Sequence, residues 1–205
     1  MGKEILVINK YILFKEEDFQ GYHEKSKRDF TDLILNNYHW RERNQELEND
    51  LETIQLTTYI WIINKNKQVF LYRRALGEGY KENRHIGRYS GGVGGHIDKN
   101  ENEDQQNPID EAIMRELTEE VIMKEYPFPN ITGFVRDTSD VYNSVHLGVV
   151  GIVQVDWDVK AADGMSSGQF YTIEEVDNIL NDQKNDADQW TRICWPFIKE
   201  YLESI

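Results

Sequence analysis

The stretch VHLGVVGIVQV, residues 145–155, is almost continuously apolar. A strand with one wet face alternates polar and apolar residues, so a run without alternation belongs in the middle of a sheet. Residues 145–156 are therefore read as a central strand, and the rest of the chain must be arranged around it. TIQLTTYIWIINKNKQVFLYRRA shares the β-branched and aromatic texture of strands. It reads as two of them, 53–63 and 68–74, joined by the turn NKNK. Residues 131–138 read as a further strand.

The clearest helix is 109–125. Ile109, Ala112, Ile113, Leu117 and Val121 make one apolar stripe, Pro108 stands near N1, and Pro127 and Pro129 follow the end. YTIEEVDNIL offers Thr172 as an N-cap with Glu175 three residues on, a capping box. A last helix near 187–203 carries Trp190, Ile193, Cys194, Phe197, Ile198 and Tyr201, and Pro196 inside it predicts a kink or a break. Upstream, 5–14 reads as a strand. Residues 25–39 read as a helix through Phe30, Leu33, Ile34 and Asn37, and the charged run RERNQELENDLE, 41–52, as a solvated connection. The texture changes from residue 53. The chain thus divides into an N-terminal strand–helix extension, 1–50, packed on a main domain, 51–205. Three roles fit the extension: covering a sheet edge, forming a homodimer surface, or shaping a pocket. The sequence does not choose among them.

The formal net charge is −14 and the pI about 4.8, which disfavours a nucleic acid duplex as partner, since backbone phosphates need a basic face. A small phosphorylated substrate stays open, because a divalent cation inverts the local sign. The single cysteine, Cys194, excludes a disulfide framework within the chain and suits a reducing, cytoplasmic location. No apolar run approaches the roughly 20 residues of a membrane span. MGKEILVINKYILF is interrupted by Glu4, Asn9 and Lys10 and does not read as a signal peptide.

The charge is concentrated. Residues 98–125 hold ten acids against three bases, half of the chain's net charge in about one seventh of its length. On a helix, Glu116, Glu119 and Glu120 stand at i, i+3 and i+4 and converge on one patch beside the apolar stripe. Arg115 reaches Glu111 or Glu119 at i±4 and is placed to hold a carboxylate. A solvated acidic face fits this pattern, and so does a bound hard cation. The upstream run GGVGGH adds backbone that approaches a ligand closely, with a glycine carbonyl as an oxygen ligand; a plain tight turn is the alternative.

In order, GGHID…NPIDEAIMRELTEEV resembles the signature box of the Nudix hydrolases: Gly, five residues, Glu, seven residues, then Arg-Glu-apolar-x-Glu-Glu-x-Gly-apolar. Arg115, Glu116, Leu117, Glu119 and Glu120 match the second half in full. Three positions depart from it. The spacer after Gly95 is about six residues longer, Asn107 stands where the pattern has Glu, and Ile122 stands where it has Gly. Glu101, Glu103 or Glu111 is available to replace the missing glutamate. The resemblance covers residues 53–183.

That resemblance implies an α+β fold, a mixed β-sheet sandwiched between helices. It also implies a diphosphohydrolase (a pyrophosphatase in the broad sense) that needs Mg²⁺ or Mn²⁺. Glu116, Glu119, Glu120 and the Gly94 carbonyl would be metal ligands. Arg115 would orient a glutamate, and Glu116 or Glu119 would act as general base. Arg73, Arg74 and Arg88, with Arg84 and His85, are the candidate phosphate-binding groups, each with a surface ion pair as its plainer role. His96 is a further candidate, as ligand, phosphate donor or structural hydrogen-bonding group. His146 reads as structural, Tyr59, Trp61 and Tyr142 as core or base-stacking groups, and Cys194 as packing. Two alternatives accompany the hydrolase: a nucleotide sensor without turnover, and an enzyme like isopentenyl diphosphate isomerase, which FLYRRALGEGY…GGVGGHI faintly resembles. The isomerase needs a cysteine acid/base, and Cys194 lies far along the chain from the glycines.

Overall fold

The computed structural model describes residues 2–74, 87–99, 107–162, 165–182 and 186–205; for Arg74 and Ser166 it describes the backbone. In chain order the elements are β1 (Glu4–Asn9), α1 (Lys10–Phe14), β2 (Gly21–Glu24), α2 (Thr31–Asn37), β3 (His39–Glu42), a 3₁₀ turn (Leu47–Asn49), β4 (Thr53–Asn64), β5 (Val69–Arg74), β6 (Tyr89–Ser90), β7 (Gly92–Val93), α3 (Pro108–Glu120), β8 (Val121–Ile122), β9 (Asn130–Arg136), α4 (Val141–Ser144), β10 (His146–Val155), β11 (Lys160–Ala161), β12 (Met165–Tyr171), α5 (Ile173–Asn181) and α6 (Gln189–Ser204).

β10 is central, and of its residues only Gln154 is exposed. It runs parallel to β4 from His146↔Gln55 to Val155↔Asn64 and antiparallel to β9 on its other side. The main sheet has the order β12–β5–β4–β10–β9–β2, with β1 joined to the start of β4 and β3 to β1. One parallel pair among antiparallel neighbours makes the sheet mixed.

Alternation along β4 sends side chains into two cores. Leu56, Ile60 and Ile62 pack with Ile109, Ala112, Ile113 and Leu117 of α3 and with residues of α1 and α2. Tyr59, Trp61 and Ile63 pack with Val176 and Ile179 of α5 and Cys194, Trp195, Ile198 and Leu202 of α6. The result is a sheet between two helical layers, as expected. The capping box at Thr172 and Glu175 is present. α6 continues through Pro196 without a break, its apolar side seated on the sheet.

Several boundaries differ from the sequence reading. The strand read over 5–14 stops at Asn9, whose side chain accepts from the backbone N–H groups of Tyr11 and Ile12 and starts α1. The helix read over 25–39 is confined to 31–37, with β2 before it and β3 after it. The connection 41–52 begins on the end of β3 and contains the 3₁₀ turn, tied by ion pairs Arg41–Asp50 and Arg43–Glu48. α3 ends at Glu120 rather than 125, because Val121 turns extended (φ −132°, ψ 149°) and pairs with Ala161. Val121 stays fully buried, so it fits the apolar stripe without being helical.

The first 50 residues are woven into the main sheet. β1 pairs with β4, β2 extends the edge beyond β9, and Arg136 of β9 donates to Asp18 and to the Phe19 carbonyl. β1 also holds the segment after the glycines: Leu6 donates to the Ile97 carbonyl, and Lys3–Asp98 and Lys99–Glu4 are ion pairs.

Candidate active site

α3 begins at Asn107, whose side-chain oxygen accepts from the N–H groups of Ile109 and Asp110. Pro108 occupies the first turn, where its missing N–H costs nothing. The apolar stripe fixes the helix against β4. That fixation directs Glu116 inward, where it is 7% exposed, and leaves Glu119 at the surface.

The glycine run lies against these carboxylates. Gly94 takes φ +151°, and a Cβ there would meet the Thr58 carbonyl oxygen at 2.2 Å. Only glycine passes at that point. A Cβ on Gly95 would meet Glu116 Oε1 at 2.8 Å. Gly94 donates its N–H to Glu120 Oε2 at 3.0 Å. Glu116 and Glu120, one helical turn apart, are thus brought together against bare backbone.

Arg115 ties the site together. Its Nη2 lies 2.7 Å from Glu116 Oε1 and donates to the His96 carbonyl at 3.0 Å, while Nη1 donates to Glu119 Oε2 at 2.9 Å. Asp98 stands 3.7 Å away. The arginine therefore bridges two carboxylates through separate nitrogens and faces Glu119, not Glu111. Even so, the Glu116 pKa is pushed up to about 7: burial is the largest cause, Glu120 adds repulsion, Arg115 offsets part of both, and Glu119 adds a little more.

The donor set fits a hard divalent cation. A buried carboxylate of raised proton affinity, Glu116, beside the half-buried Glu120 and against backbone that a single methyl group would fill, is chemistry that a cation relieves. As placed, no three His, Cys, Asp or Glu side chains among the described residues surround one point; Glu119 accepts from Arg115 instead.

The other expected site residues are more scattered. Arg73 places its guanidinium 4.1 Å from the Tyr89 ring centroid, and Arg74 ends β5 opposite Met165. Arg88 is paired with Asp186 at 2.7 Å. Arg84, His85, Glu101 and Glu103 lie outside the described residues. His96 turns its ring away from α3 towards Gln55 Oε1 (3.0 Å) and His146 Nε2 (3.2 Å), so its contribution to the carboxylate site is its carbonyl. Part of His96 is exposed, but its ring is packed closely enough that burial, with His146 and Arg43 nearby, holds its pKa well below the usual range. Tyr59 and Trp61 are core residues. Cys194 is buried on the inner side of α6, on the opposite face of the sheet from Glu116, where burial raises its thiol pKa. It has no access to the carboxylates. Asp98 was not anticipated beside Arg115; its approach depends on β1 holding the 96–99 segment.

Comparison of the sequence with protein-family models and with curated proteins finds no match. Solved structures do match. Tm1382, assigned to the Nudix hydrolases, superimposes with a TM-score of 0.76 at 22% identity, over 98% of this chain and 100% of that one. A bifunctional NMN adenylyltransferase/ADP ribose pyrophosphatase from Francisella tularensis gives 0.55 at 17% identity, over 73% of this chain and 41% of that one. The Nudix domain of Shewanella oneidensis NrtR, complexed with ADP ribose, gives 0.50 at 16% identity, over 72% and 88%. The chain has the fold of the Nudix hydrolases.

Proposed function

We propose that this chain is a divalent-metal-dependent diphosphohydrolase, acting on a nucleoside diphosphate linked to a further group or on a related organic diphosphate. The observation that supports this most is the convergence of Glu116 and Glu120 on Gly94 and Gly95. In this reading Glu116, Glu120 and the Gly94 carbonyl hold Mg²⁺ or Mn²⁺, and Glu119 joins them when it releases Arg115. The bound ion neutralises diphosphate charge and lowers the pKa of water. Arg115 orients Glu116 and Glu119 and fixes both to the His96 carbonyl. Glu116 or Glu119 accepts the proton of the attacking water. Arg73, Arg74 and Arg88, at the β5 end of the sheet, are the phosphate-binding candidates; Arg88 would exchange Asp186 for the substrate.

ADP ribose is the first compound to try, since two proteins of this fold are named for binding or cleaving it. The test is a panel of nucleoside-diphosphate conjugates and other diphosphates with Mg²⁺, Mn²⁺ or EDTA, with products read by mass spectrometry and Glu119→Gln/Glu120→Gln as control. Metal-dependent cleavage absent from the double variant supports the hydrolase. A second reading, a ligand-binding module without turnover, is favoured by Asn107, which caps the helix where the box pattern has a carboxylate. No cleavage, with metal-dependent thermal stabilisation by one compound, would select it.

A further inference from the structure

We infer that Glu48, Gln55, His96 and His146 form a second metal site, for Zn²⁺ or a similar nitrogen-seeking divalent ion, on the sheet face opposite α3. Gln55 has the same parity along β4 as Tyr59 and Trp61, which face α6, so this cluster is separated from Glu116 by the sheet. The two ring nitrogens, His96 Nε2 and His146 Nε2, stand 3.2 Å apart. Two nitrogens bound to one tetrahedral zinc at its usual bond length are about 3.4 Å apart. Gln55 Oε1 lies 3.0 Å from His96 Nε2, and Glu48 Oε2 lies 3.8 Å from His146 Nε2.

Proton bookkeeping points the same way. His146 Nδ1 is 2.7 Å from the Tyr142 carbonyl oxygen, which can only accept, so Nδ1 carries the proton and Nε2 presents a lone pair. Gln55 Nε2 donates to the Leu47 carbonyl and to Glu48 Oε2, which turns Gln55 Oε1 towards His96. Two acceptor atoms, His146 Nε2 and Gln55 Oε1, are thus turned towards His96 Nε2, and one cation would take all three as ligands. The supporting shell is present: the Tyr142 carbonyl orients His146, and Arg43 Nε donates to Glu48 Oε1 at 2.9 Å. Glu48 is not yet in place, and among the described residues no three His, Cys, Asp or Glu side chains enclose one point. A carboxylate oxygen on the same ion would sit about 3.3 Å from a ring nitrogen, so Glu48 has roughly half an ångström to move.

Such an ion would staple the 3₁₀ turn of the N-terminal segment to β4, to β10 and to the loop whose His96 carbonyl holds Arg115. This does not depend on the hydrolase reading. The experiment strips the full chain with a chelator and titrates Co²⁺, reading the visible absorption of four-coordinate cobalt, then Zn²⁺, reading bound metal per chain by mass spectrometry and the melting temperature. The expected result is one Zn²⁺ per chain, a higher melting temperature, and a cobalt band that survives Glu116→Gln/Glu120→Gln but disappears in His146→Gln. Should His146→Gln not fold, Glu48→Gln serves: it should weaken Zn²⁺ about tenfold or more. Absence of the band, a band lost with Glu116→Gln/Glu120→Gln, or a band unmoved by Glu48→Gln and by any folded His146 variant would reduce the cluster to a structural hydrogen-bonded pair and overturn the inference.

Discussion

Gly95 and Glu116 are packed so closely that a Cβ on the glycine would stand 2.8 Å from the carboxylate Oε1. The glycine run and the acidic helix, joined in the sequence only by the order of the box, are in direct contact in the structure. Gly95→Ala should push Glu116 away from Glu120. We expect activity to fall about 100-fold, the effect of an ångström-scale misplacement, with a stability loss of about 1–3 kcal/mol. Steady-state kinetics with metal titration, beside chemical denaturation, measure both.

Glu116 makes the metal-free protein sensitive to pH. Its folded-state pKa of about 7 lies above the ordinary 4.5, so between these values the folded state binds a proton that the unfolded state releases. Stability should be highest, for this group, below pH 4.5 and should fall as pH rises through 7, by an amount on the order of 3 kcal/mol. Glu116→Gln should flatten that slope, and saturating Mg²⁺ should do the same in the parent chain. Urea melts at pH 5.5 and pH 8, with and without Mg²⁺, test this.

Arg115 serves three acceptors: Glu116, Glu119 and the His96 carbonyl. A lysine ammonium is a point charge without the planar fork and cannot span them. Arg115→Lys should lower activity or metal affinity about 10–100-fold and leave the fold intact. Circular dichroism beside kinetics separates the two.

Asn107 acts in this structure as a helix cap. Asn107→Ala should cost about 1 kcal/mol of stability, and Asn107→Asp should restore it. If the cap is its whole role, activity of the folded fraction stays within about twofold of the parent, a small change against the 1.4 kcal/mol that marks a tenfold effect. Denaturation midpoints and initial rates decide.

Much of the fold was legible because its signals are local. The apolar run at 145–155 is the central strand, and the hairpin 53–74 and the apolar stripe of α3 follow from their periods. The convergence of Glu116 and Glu120 was legible for the same reason. The N-terminal segment was not. β2 and β3 are four residues each, too short to show a period, and one Asn9 side chain turns a continuous β-rich run into a helix. The role of the His96 ring stayed open in the sequence because its partners, Gln55 and His146, lie 41 and 50 residues away along the chain.

The most direct test of the account is binding of Mn²⁺ to the purified chain, followed by loss of the free-ion electron paramagnetic resonance signal, in the parent and in Glu116→Gln/Glu120→Gln. The account predicts saturable binding in the parent, at concentrations that also support diphosphate cleavage, and little or none in the double variant. Equal binding by both proteins, or none by either, would return the glutamates of α3 to a solvated acidic face and contradict it.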